Sequence, residues 1–209
     1  MGIMIDLEAV QREGFPIGGE PLVALDLVDT EMLAVDPAQD LLAAPERRAA
    51  WWSLQATRLP ESSTPDPAAV RRLRAAIRDL LDAHLEGHAP RPTSVEDVNA
   101  AAASVPSSPR LTYVVERNGG FHGANARVDT RWHAEHGGNV ALAFIAREAI
   151  DLFGAPDRLA RLRRCANPDC SMLFLAETSR RQWCASNVCG NRVRVARHQE
   201  KVRAAKHAD

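Results

Sequence analysis

All four cysteines of this 209-residue chain lie between positions 165 and 189, spaced C-x4-C-x13-C-x4-C as Cys165, Cys170, Cys184 and Cys189. Two close pairs joined by a short hairpin can bring four thiolates to the corners of a tetrahedron, with metal–sulfur distances of about 2.3 Å. Asn167-Pro168-Asp169 supplies turn chemistry for the first pair. Between the pairs, residues 172–175 (MLFL) and 182–183 (QW) are expected to pair with each other as two short strands. A module of this size buries too little to fold unaided, so a bound metal would supply the missing stability. Zinc is the default, because four thiolates fill its coordination shell and leave no position for water. One structural ion is therefore expected. A redox thiol switch and unrelated buried cysteines are the alternatives, and the clustering of all four argues against the second.

The charge distribution divides the chain near the same place. Residues 158–209 carry 12 Lys/Arg against 4 Asp/Glu, while residues 1–157 carry 14 against 23. A basic segment attached to an acidic one suggests a polyanionic partner for the former. Mutual neutralisation of the two parts is the bland alternative. Hydrophobic residues make up 45% and charged residues 25%, which excludes wholesale disorder. The first ten residues include Asp6 and Glu8 and lack a basic start, so no secretory signal is expected. No run approaches the roughly 18–20 apolar residues of a membrane span. A cytoplasmic protein with reduced thiols is the simplest expectation, and it favours metal over disulfides.

Along the chain, residues 21–27 (PLVALDL) read as a first strand after Gly18-Gly19. Residues 37–42 and 45–54 read as short helices opened by proline. Residues 67–88 form the clearest helix: Val70, Leu73, Ile77, Leu80, Leu81 and Leu85 recur at helical spacing, with Arg71, Arg72, Arg74, Arg78 and Asp79 between them, and Gly87 ends it. A weaker helix spans 94–104. Strands at 111–116 and 121–128 flank the hairpin turn Asn118-Gly119-Gly120. Asn139 is placed to cap a buried helix over 140–153, and Gly154-Ala155-Pro156 is a candidate hinge. The expected class is α+β: a mixed α/β domain over 1–156 with a small β-hairpin and several helices, then a treble-clef-like module over 157–209 ending in a basic helix.

Cys189-Gly190-Asn191-Arg192, preceded by C-x4-C, then LF, SRR and WC, resembles the motif that names the CGNR zinc-finger family. The upstream part, with Gly18-Gly19 and residues 25–30 (LDLVDT), resembles that family's usual companion, the ABATE domain of stress-induced transcription regulators. The two resemblances imply a zinc-dependent DNA-binding regulator, acting at the nucleoid, whose N-terminal domain senses a small-molecule effector or mediates assembly, including pairing with a second copy.

After Cys189 the chain continues without a helix breaker beyond Gly190, and at 100° per residue Arg194, Arg197, His198 and Lys201 share a face. A cationic helix anchored at its N-terminus by metal suits a DNA groove or phosphates. Arg180, Arg181 and Arg192 are further candidate DNA contacts, whereas Asn191 could tie the turn. A solvated basic face is the competing explanation. Elsewhere, Asp26, Asp29, Trp52 and His133 are the candidate lining of a ligand pocket, and Asp26, Asp29 and Glu31 form an acidic cluster. His84 and His88 sit one helical turn apart without a third ligand. Trp51 and Trp52 cannot both point inward. No nucleotide or nucleophile-elbow fingerprint is present, and no catalytic role is expected. An enzyme centred on Asp26, Asp29 and His133, or a zinc-built protein-interaction adaptor, are the rival functions.

Overall fold

The computed structural model describes residues 14–15, 22–113 and 126–206, with the side chains of 201–206 excepted. The predicted turns at Gly18-Gly19 and Asn118-Gly119-Gly120 lie outside those residues. The architecture is α+β: helices pack on one another, and among the described residues every sheet is a two-stranded antiparallel pair.

Residues 21–27 are not a strand. Val23–Val28 forms helix α1, and all six of its residues are buried. A run buried on every side, its Asp26 included, lacks the period that separates a strand from a buried helical turn. α1 packs against α3 (Pro67–Glu86), α5 (Val140–Phe153) and the strand β6 (Leu173–Leu175). Its Ala24 N–H donates to Glu148 Oε2 of α5 at 3.1 Å. Burial raises the Glu148 carboxyl above the ordinary glutamate range.

Residues 37–42 are likewise not a helix. Glu31–Met32 (β1) pairs with Gln39–Asp40 (β2), and Asp40 then accepts from Leu42 N–H at 2.9 Å. The attraction that overrides the helical pattern comes from α3. Arg74 is buried and donates to Asp40 Oδ1 at 2.7 Å and to Thr30 Oγ1 at 3.0 Å. The Arg74 hydrogen bond holds the Asp40 carboxyl below its usual range. Arg78, also buried, donates to Asp82 Oδ2 at 2.7 Å. These two arginines therefore leave the solvated stripe that periodicity alone assigns them.

α3 begins where Asp66 accepts from Ala69 N–H at 2.8 Å and stops at Gly87, whose φ of +73° ends the helix in the left-handed region. α2 (Pro45–Gln55) buries Trp51 completely, while Trp52 is half-buried and meets it edge-to-face at 4.7 Å. α4 (Pro92–Ala103) lies between α3 and α5. Asn139 caps α5 as expected, its Oδ1 accepting from Leu142 N–H at 3.1 Å. Just before it, a Cβ on Gly138 would fall 2.5 Å from Ser104 O, at a φ of +87°.

The hairpin strands are β3 (Ser107–Tyr113) and β4 (Ala126–Trp132), with Leu111 opposite Val128. Predicted positions 111–113 and 126–128 fall within them. Arg147 of α5 clamps the hairpin base: it donates to Ala102 O, Val105 O and Ser107 Oγ, and stacks over Trp132 at 4.8 Å. Register gives the ribbon two unlike faces. Pro109, Leu111, Tyr113, Val128 and Trp132 share one, and Arg110, Arg127, Asp129 and Arg131 the other. Leu111 (58% exposed), Tyr113 (55%) and Val128 (72%) stand in solvent.

After Gly154, α6 (Pro156–Leu159) leads to β5 (Leu162–Arg164), which pairs with β6. Leu159, Leu162, Leu173 and Leu175 join the same buried cluster as Leu25, Trp51 and Ile145. Truncating Trp51 to Ala should cost about 3–5 kcal/mol, because the cavity would sit where α2 meets the core. Trp52→Ala should cost markedly less. Urea unfolding of the two variants, followed by far-UV circular dichroism, checks the difference.

Candidate metal centre

β6 pairs with β5 and not with residues 182–183. Leu162 is the only buried residue of β5, and its two exposed arginines disguise it as loop in the sequence. The pairing continues past the strands, with Cys165 N–H donating to Met172 O at 2.9 Å. Cys165 and Cys170 therefore flank a knuckle between β5 and β6. The hydrogen bond from Cys170 N–H to Asn167 O, 3.0 Å, closes it. Residues 182–183 instead bring Cys184 alongside, since Ala166 N–H donates to Gln182 O at 2.9 Å. Cys189 sits in the single wide turn Ser186–Gly190 that opens α7 (Asn191–Lys206). A hairpin knuckle and a helix start together present the four sulfurs.

The four Sγ atoms all lie within 4.8 Å of one another. Cys170 and Cys184 are 3.8 Å apart, and Cys184 and Cys189 are 3.5 Å apart. A tetrahedron with metal–sulfur distances of about 2.3 Å has edges of about 3.8 Å, so the set fits zinc. The cysteines are free, with sulfurs far beyond the roughly 2.05 Å of a disulfide. Among themselves the thiols share protons unequally. S–H donation from Cys170 and Cys184 drives Cys165 far below the ordinary thiol range, and Cys170 and Cys184 are pushed up in return. A dication at the centre removes this competition by allowing all four to ionise.

Two residues that the sequence offers only as turn and strand also support the centre. Asn167, buried, directs Nδ2 to Cys189 Sγ at 3.7 Å while its Oδ1 accepts from Asp169 N–H at 3.3 Å. It is thus a sulfur donor as well as a turn residue. Trp183 passes over Gly190, where a Cβ would come within 3.2 Å of the indole Cδ1. This contact gives the glycine of the CGNR motif its packing reason.

The candidate DNA contacts separate into two groups. Arg181 stacks over Phe174 at 4.5 Å and donates to Cys184 O at 2.6 Å, Trp183 O at 3.2 Å and Leu175 O at 3.4 Å. It braces the centre from within, contrary to its expected outward role. Arg180, Arg192, Arg194, Arg197 and His198 are exposed, and Lys201 lies on the same helix. Arg194 Nη1 donates to Asn191 Oδ1 at 2.9 Å, and Asn191 Nδ2 donates to Asn187 O at 2.9 Å, so Asn191 does tie the turn.

The candidate ligand pocket of Asp26, Asp29, Trp52 and His133 does not assemble. Asp26 is buried against Arg58 and Gln55. Asp29, also buried, accepts from Leu173 N–H at 3.0 Å and so docks the cysteine hairpin on α1. Glu31 lies 3.8 Å from Arg74, which leaves no acidic metal cluster there. Trp52 borders a surface cavity with residues 59–65, and the other three are absent from its lining. His133 stands at the ribbon's base, 2.9 Å from Ser108 Oγ. His84 packs edge-on against Phe153, and His88 pairs with Glu86 at 3.2 Å. The four cysteines are the single metal-competent group among the described residues.

Comparison with known proteins places this geometry. Residues 22–156 match the ABATE family model, described as "Putative stress-induced transcription regulator". The chain belongs to the ABATE family. Residues 161–202 match the CGNR zinc finger, which covers all four cysteines. No curated protein matched the sequence. The four cysteines of this ABATE protein hold one structural zinc ion. No helix among the described residues is long and apolar enough to cross a membrane.

Cys189→Ser should reduce zinc from one equivalent per chain towards none, measured by metal analysis, and speed amide exchange across residues 176–200. The Leu173–Leu175 amides should stay comparatively protected, because that strand is anchored in the main core. Acid should release the ion, since protons compete for its ligands. Asp29→Ala, which strands a buried N–H, should cost about 1–3 kcal/mol in chemical unfolding, while Asp29→Asn should retain most of the stability.

Proposed function

We propose that this protein is a zinc-dependent DNA-binding transcription regulator whose N-terminal domain receives a small-molecule signal. The observation that carries the proposal is the disposition of charge around the metal centre. Zinc fixes the start of α7, and from that point Arg192, Arg194, Arg197 and His198 are all exposed, with Lys201 following on the same helix. A cationic rod held rigid at one end can follow a groove or a phosphate backbone with little ordering cost. Arg180 extends the basic surface from the preceding loop, while Arg181 belongs to the scaffold.

Mutual neutralisation explains only part of the positive charge. Arg164 meets Asp82 at 3.1 Å and Glu86 at 2.9 Å, tying β5 to α3. Arg161 donates to Ala176 O at 2.9 Å. Among the described side chains of α7, Arg192, Arg194 and Arg197 form no ion pair with α3, and they are the ones offered to nucleic acid. Such a protein acts at the nucleoid.

The role is proposed to be non-catalytic. Asp26 is engaged by Arg58 and Gln55 and Asp29 by the Leu173 amide, whereas His133 meets Ser108, which supports this reading over the rival enzyme. Assembly with a second copy is the alternative role for the N-terminal domain, and the exposed Leu111 and Val128 on the apolar face of β3–β4 support it. Light scattering of wild type and Val128→Glu checks this: a dimer that dissociates in the variant supports it.

For DNA, selection from random duplexes followed by salt titration is the direct test. Affinity should fall steeply with salt, and Arg192→Ala and Arg197→Ala should each flatten the log–log slope by about one. Cys189→Ser should abolish the preference. Affinity indifferent to ionic strength, or no preference over competitor DNA, would move the assignment to a protein-interaction adaptor.

A further inference from the structure

We propose that the cavity between residues 32–35 and the zinc centre is a binding site for a small hydrophobic amine. The cavity measures about 290 Å³. That is roughly twice the ~150 Å³ that admits one benzene ring, and near the lower end of ligand pockets, so it suits one ring with a short chain. Its walls are apolar, with Phe15, Met32, Met172 and Val188 among them. Methionine sulfur beside an aromatic ring is a favourable contact.

The charge of the ligand follows from the floor and rim. Cys170, Cys184 and Cys189 line the cavity, and four thiolates around one dication leave the centre anionic. Asp169, exposed at the edge, adds a carboxylate. Arg192 is the one cation in the described lining. The balance is negative, so an ammonium gains and a carboxylate loses in a partly dry space. An ammonium also carries three donors for sulfur and carboxylate acceptors, and an apolar alcohol of the same shape carries one.

The site joins the two matched regions. Leu33 N–H donates to Ser171 Oγ at 2.9 Å beside it, and Arg192 belongs to the first turn of α7. An occupant would therefore touch both the segment after β1 and the start of the basic helix. The regulatory meaning of this contact rests on the DNA-binding proposal; the site itself does not.

The test uses full-length zinc-loaded protein without DNA and three probes of one shape: phenethylamine, 2-phenylethanol and phenylacetate. Saturation-transfer NMR and calorimetry should rank them in that order, with the amine at least about tenfold tighter than the acid. Ala34→Trp, on the wall contributed by residues 32–35, should abolish amine binding with zinc content unchanged. Asp169→Asn should narrow the amine-over-acid preference. Failure of all three probes to bind at millimolar concentration overturns the proposal. So does an acid that binds as tightly as the amine, or an amine that binds Ala34→Trp as well as wild type. A DNA titration on the same sample separates the two ideas: retained amine binding with no DNA binding sinks the regulator and upholds the site.

Discussion

Closure of four sulfurs around one ion is the constraint from which the C-terminal quarter of this protein takes its shape. The cluster of Cys165, Met172, Phe174, Ala176, Cys184 and Cys189 is too small to be a core by itself, and its sulfurs form much of it. Without a dication the same sulfurs hold protons in opposition, with one thiol depressed and two raised. With one, the knuckle after β5 and the turn before α7 become a single rigid object. Arg181 and Asn167 work towards the same end by satisfying carbonyls and a sulfur that the tight loops would otherwise leave bare. The direction of the basic helix is therefore a consequence of metal coordination more than of helix packing.

That object is not hung on a flexible tether. Leu162, Leu173 and Leu175 belong to the main core, Asp29 receives Leu173 N–H, and Arg164 reaches two acids of α3. Burial of three leucines is worth several kcal/mol in area terms, at roughly 1.5–3 kcal/mol each. The buried acceptor adds a penalty for misalignment, because an undocked Leu173 N–H would need another partner. Any change in the N-terminal helices that moves α1 is thus felt directly at β6, which lies between the two cysteine pairs.

What the sequence disclosed follows physical lines. The metal ligands were legible because coordination chemistry restricts residue type and spacing together. α3 and α5 were legible because Gly87 and Asn139 mark termini by mechanisms that act locally. α1 was illegible, since a segment buried on every side has no polar face to mark its period. Arg74 and Arg78 sat in the polar stripe of α3; Asp40, far away in sequence, draws Arg74 inside, whereas Arg78 pairs with Asp82 one turn along the same helix. The acidic cluster failed for the same reason in reverse. Asp26 and Asp29 look available in one dimension, but Arg58 and the Leu173 amide claim them in three. Buried charge partnered across long sequence separations is the class of interaction that pattern alone misses.

Arginine shows how far context decides function here. Arg147 holds the ribbon, Arg181 holds the zinc loops, Arg74 holds β2, and Arg164 holds the module on α3. Each has a planar guanidinium aimed at fixed acceptors, the use for which lysine is a poor substitute. Arg192 and Arg197 of α7 differ in being exposed on a scaffold that fixes the backbone beneath them. Side chains so placed keep their entropy until a partner with many acceptors arrives, and phosphates offer such acceptors at regular intervals. Arg192 stands at the junction of the two groups, on the basic helix yet at the rim of the cavity beside zinc. A ligand that alters the field at that rim acts on the first cation of the helix, so sensing and DNA contact would meet at one side chain.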